Sequence, residues 1–189
     1  MIRPLDQAEA GGEVARLARL EAAGVPVVPT WVVELEAEFY ALNNLPERVR
    51  RAFEGVFGVR IDEDRLEAAC REAQRLVRES YLLPERADAL GAVVGEGRFV
   101  VRYAGGAPVG IATGRQEVLW HLKRLWASVW EVDAVLARAP RLAPPDRPSL
   151  VQRVEALPRP DADLSRRAAE VLGEPVEVWA SAGRVVHVR

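Results

Sequence analysis

Gly11 to Val33 reads GGEVARLARLEAAGVPVVPTWVV, and Phe99 to Arg138 reads FVVRYAGGAPVGIATGRQEVLWHLKRLWASVWEVDAVLAR. The first stretch is a glycine turn followed by a short helical repeat, with Val14, Leu17, Ala18 and Leu20 on one side and Gly24 placed to close it. Val25 to Val33 then reads as a buried strand, which Pro26 and Pro29 confine to a sheet edge or an irregular start. In the second stretch a strand over 98–103 runs into a glycine-rich loop, and a long helix is expected over 116–138. Strand, glycine loop and helix in that order can cradle a phosphate, because glycines expose backbone N–H groups and a helix N-terminus favours negative charge.

Outward from these stretches the chain alternates helices and strands. Short helices are expected at 35–42 and 47–57. The cleanest helical period follows over 62–81, where Leu66, Ala69, Cys70, Ala73, Leu76 and Val77 form one stripe behind Asp62. Pro84 can start another helix. Six of the 13 prolines fall between Pro140 and Pro160, around a strand-like piece at Leu150 to Glu155. A helix over 163–172 and a hairpin, 176–180 and 184–189 turned at Ser181-Ala182-Gly183, complete the reading.

The chain has 189 residues, 49% hydrophobic and 29% charged, with a net charge of −2. That length can bury a proper core, and that charge provides no footprint for nucleic acid or an anionic membrane surface. No apolar run reaches a membrane span and no signal-peptide pattern follows Met1, so a cytoplasmic protein is expected. The single cysteine, Cys70, falls on the apolar stripe and reads as a buried thiol. Arginine supplies nearly all the basic charge, a balance compatible with a thermophilic source. Lys123 is the sole lysine.

In order and wording both stretches resemble the N-terminal nucleotide-binding domain of phosphoenolpyruvate synthase, pyruvate phosphate dikinase and the rifampicin phosphotransferases. That family reads GGKxANLxxL, GVPVPPGFVV, VRSSA, a glycine loop ending in GQxET, and a helix carrying CWASLW. In the tail, Leu150 to Val154 resembles its VQRMV strand, Glu177 to Ala180 its IEWA strand, and Val186 to Arg189 its LQAR strand. The resemblance implies an α+β fold: a mixed sheet flanked by helices, like the first subdomain of a dikinase-type ATP-grasp domain, over residues 1–139. A Pro-rich linker at 140–148 and a reduced second subdomain at 149–189 would follow, lacking about a hundred residues of the family's length.

The same resemblance assigns the candidate site. Arg102 stands where the family's VRSS arginine can fork onto phosphate oxygens, in a cleft between the subdomains. Gly105, Gly106, Gly114, Gln116 and Glu117 stand in the phosphate-covering loop. Its serines are replaced by Tyr103 and Ala104, and its phosphate-binding lysine by Glu13. Two readings of Glu13 stay open: a solvated first-turn glutamate complementing the helix dipole, or a carboxylate paired with Arg102, for which Glu117 is the other candidate. The magnesium carboxylate aligns with Val178, or with Glu177 after a one-residue slip, and His187 stands where the family has glutamine. His187 has no second ligand at metal spacing, and no metal site or catalytic residue is assigned. His121 reads as a partly exposed helix residue, and Trp126 and Trp130 as core anchors against the strands ending at Val33 and Val101. The expected function is that of a non-catalytic binding or regulatory module whose partner is a protein or a nucleotide. The alternatives are retained ATP and magnesium binding as a phosphotransferase component, and a purely structural interaction protein.

Overall fold

The computed structural model describes residues 1–189 apart from Ala10 and Val109, the latter in the glycine loop. Along the chain run β1 (Ile2–Pro4), a 3₁₀ turn (Leu5–Gln7), α1 (Gly12–Ala22), β2 (Thr30–Val33), α2 (Glu36–Leu42), α3 (Leu45–Ala52), α4 (Glu63–Glu79) and α5 (Pro84–Val94). Then come β3 (Arg98–Tyr103), β4 (Ala112–Thr113), α6 (Gly114–Ser128), α7 (Val132–Leu136), β5 (Ser149–Val154), β6 (Arg159–Pro160), α8 (Ala162–Leu172), β7 (Val178–Ser181) and β8 (Arg184–Val188). The fold is α+β. Among the described residues no helix is long and apolar enough to cross a membrane.

The strands form a five-stranded sheet in the order β1-β2-β5-β3-β4 and a three-stranded sheet in the order β6-β7-β8. All pairs between these strands are antiparallel. The expected mixed sheet is therefore corrected to antiparallel. Among the described residues, an isolated bridge between Val27 and Val185 is parallel. β2 lies inside its sheet, and Pro26 and Pro29 are accommodated because both precede its first residue, Thr30. The β7–β8 hairpin turns through Ala182 and Gly183, both with positive φ (48° and 73°), the backbone that a two-residue hairpin loop requires.

Two compact units divide the chain, one of residues 1–34, 87–121 and 147–189, the other of 35–86 and 122–146. Residues 149–189, read from the sequence as a reduced second subdomain, belong to the first unit. β5 is the central strand of the larger sheet, and Leu164, Ala168 and Leu172 of α8 share a core with Val14, Leu17 and Leu20 of α1. Val32 and Leu150 close that core from the larger sheet, and Val178, Val185 and Val188 close it from the smaller one.

The second unit is helical. Asp62 caps α4 by accepting from the Arg65 N–H at 3.1 Å. The helix expected over 116–138 is interrupted between Ser128 and Val132. There Ser128 Oγ donates back to the Leu125 carbonyl, and the main chain tightens into bonds from Trp130 to Ala127 and from Glu131 to Ser128. Trp126 and Trp130 are buried, as expected. Within the helical unit Trp126 lies 4.9 Å from Phe39 and Trp130 lies 6.0 Å from Phe53, centroid to centroid. Tyr40 joins the two tryptophans, donating to the Trp126 carbonyl and accepting from the Trp130 indole N–H. Burial raises the Tyr40 pKa, so the phenol stays protonated. Lys123, half-buried, donates to the Ser80 carbonyl at the end of α4, and burial lowers its pKa. Cys70 is buried on the apolar face of α4, and burial pushes its thiol up.

Candidate functional site

Alternation along antiparallel strands places Arg102 and Leu150 at one register position and Val100, Gln152 and Thr30 two residues away, all on the same face of the sheet. That face turns toward α1 and β8. Gly12, at φ 61°, leads the chain into α1, and Glu13 in its first turn points at the same interior. Glu13 is 6% exposed and Arg102 1% exposed. The solvated reading of Glu13 is thereby overturned, and Arg102 lies in the interior of one unit instead of an open cleft.

The two side chains form a forked ion pair, with Nη1 to Oε2 at 2.7 Å and Nη2 to Oε1 at 2.8 Å. Glu13 also accepts from the backbone N–H of Gly105 (2.6 Å) and of Val188 (3.0 Å), and lies 2.6 Å from His187 Nδ1. An ionised carboxylate only accepts, so His187 Nδ1 carries a proton and donates to it. Arg102 is saturated too. Nε donates to Gln152 Oε1 at 2.8 Å, Nη2 to the Val186 carbonyl, and Nη1 to the carbonyls of Gly106 and Tyr103. Those bonds, with the two to Glu13, commit all five guanidinium N–H groups. Gln152 is held in turn by donating to Thr30 Oγ1 and to the Val186 carbonyl.

Opposing influences set the Glu13 pKa. Burial raises it, while the hydrogen bonds from His187 and Arg102, the Arg102 charge and the Gly105 N–H lower it, to about 2 from 4.5. A carboxyl whose folded pKa is depressed contributes stability that is fully present above pH 4.5 and is lost as the pH falls through 2. The shift corresponds to about 3 kcal/mol. Denaturant unfolding between pH 7 and pH 2.5 should therefore show an acid limb that is steeper in the wild type than in Glu13→Gln. Parallel limbs would place the linkage on other carboxylates.

Of the candidates read from the sequence, Arg102, Glu13, His187, Gly105 and Gly106 meet at this point. The others do not. Glu117 accepts from the Thr113 N–H ahead of α6, and Gln116 is exposed. Gly114, at φ 70°, bonds to the Gly97 carbonyl as α6 begins. Glu177 pairs with Arg189 at 3.1 Å, while Val178 is fully buried. Sequence reading missed Gln152 and Thr30. Their signal was a polar residue at the inward position of an otherwise apolar strand, where burial demands a partner.

Compared with protein-family models, the chain matches none. Compared with curated protein sequences, it matches none.

Proposed function

We propose that the chain is a non-catalytic binding or regulatory module on a scaffold resembling the nucleotide-binding domain of phosphoenolpyruvate synthase and pyruvate phosphate dikinase, with a protein partner in place of a nucleotide. The observation that carries this reading is the commitment of every Arg102 N–H to protein acceptors. An arginine that would fork onto a phosphate there has its anion supplied internally, by a carboxylate of α1. Val178, buried and apolar at the position the resemblance gives to a magnesium carboxylate, supports the same reading. So do Tyr103 and Ala104 in place of the loop serines.

Incubation of the purified chain with magnesium, ATP and pyruvate or rifampicin should give no phosphorylated product above background. A companion thermal-shift measurement compares ATP with inorganic tripolyphosphate, so that only adenine-dependent binding counts. A nucleotide at 100 times its dissociation constant would add about 2.7 kcal/mol of stability. Turnover, or a shift with ATP that tripolyphosphate does not reproduce, would put retained nucleotide binding in its place.

A further inference from the structure

At the end of β3 away from Arg102, a pocket of about 260 Å³ is lined by Arg98, Arg153 and Arg184 over a floor that includes Val28, Pro29 and Val154. The three arginines come from three strands: Arg98 opens β3, Arg153 lies in β5 and Arg184 opens β8. Each is tethered to a main-chain carbonyl rather than to a carboxylate. Arg98 Nη1 donates to Glu155 O at 3.0 Å, and Arg153 Nη2 to Glu96 O at 2.6 Å. Arg184 donates through Nε and Nη2 to Val27 O.

Many of the other surface arginines face a carboxylate, as Arg75 faces Glu72 and Glu79, and Arg86 faces Glu38. Here one carboxylate, Glu155, lines the pocket with three guanidiniums. Like charges gathered in one pocket repel, and an anion among them relieves that repulsion. The carbonyl tethers fix the heads of flexible side chains before a ligand arrives, which reduces the ordering cost of binding, and each guanidinium keeps N–H donors unused. Gly97 contributes by its lack of a side chain. A Cβ there would meet Arg153 Nε at 3.1 Å and Nη2 at 3.2 Å, so glycine lets that guanidinium lie against the backbone.

We propose that this pocket binds a phosphate group, either free or as a small phosphomonoester. Planar guanidinium forks match its oxygens, its double charge suits three cations facing one carboxylate, and the volume suits a small ligand. The proposal stands apart from the reading of Arg102.

Isothermal titration of the full chain with inorganic phosphate and with glycerol phosphate tests it, against sodium chloride at matched ionic strength. Saturable one-to-one uptake is expected, weakened roughly tenfold by Arg153→Gln and by Arg98→Gln. Arg166→Gln, on the exposed face of α8, should leave it unchanged. Both side chains chosen for removal are exposed, so the folded chain tolerates their loss. Uptake of phosphate alone would define a free-anion site, and uptake of both ligands an ester site. Binding no stronger than that of chloride, or equal affinity in wild type, Arg98→Gln and Arg153→Gln, would overturn the proposal.

Discussion

Glu13→Ala should destabilise the chain by about 3–5 kcal/mol, the range for removing one partner of a buried ion pair. The loss exceeds that of a packing defect because Arg102 cannot shed its charge and, at 1% exposure, cannot reach water. Two backbone N–H groups, of Gly105 and Val188, and His187 Nδ1 lose their acceptor as well. Equilibrium urea unfolding measures the loss directly, and the melting temperature should fall by on the order of 10 °C. The double variant Glu13→Leu/Arg102→Met should recover part of the stability, because it removes both charges together while the Gly105 and Val188 N–H groups stay without their acceptor. Gln152 Nε2 would still satisfy the Val186 carbonyl that Arg102 vacates. A loss below about 1 kcal/mol in Glu13→Ala would mean that water reaches the pair.

How far the sequence could lead is visible in this pair. Strand 98–103 and the helix at α1 were legible from local periodicity. The choice between a solvated Glu13 and one turned onto Arg102 was not, because residues 89 apart meet there and local pattern says nothing about such closure. Gln152 escaped notice for the same reason: in sequence it is one polar residue in a short strand, and only the pairing of β5 between β2 and β3 makes it an interior donor. The placement of β5 also explains why 149–189 looked separable. The proline-rich stretch before it reads as a linker, whereas the strand it leads into is the centre of the sheet. At α6 the period of apolar residues carries on past Ser128, so the pattern alone extends the helix. A side-chain hydroxyl competing for the Leu125 carbonyl ends it.

The same helix separates burial from mere aromaticity, and Trp126→Ala should cost about 3–5 kcal/mol. Trp126 is fully buried, its ring 4.9 Å from that of Phe39. Truncation leaves a cavity that Phe39 and Tyr40 can refill only by breaking contacts of their own, since Tyr40 is fixed between the Trp126 carbonyl and the Trp130 indole. Trp120, on the same helix but 53% exposed, provides the control, and its change to alanine should stay within about 0.5 kcal/mol. Six residues at about 100° each turn the helix by about two-thirds of a circle beyond one full turn, so one indole faces the core while the other faces solvent. Trp130→Phe should fall between the two. It keeps most of the ring volume but removes the N–H that donates to Tyr40 at 2.7 Å, a loss of about 1 kcal/mol on top of any repacking. Unfolding of the three variants by urea, read by far-ultraviolet circular dichroism so that the tryptophans are not also the probe, gives the order. Equal losses for Trp126→Ala and Trp120→Ala would mean that α6 is rotated about its axis relative to the arrangement described.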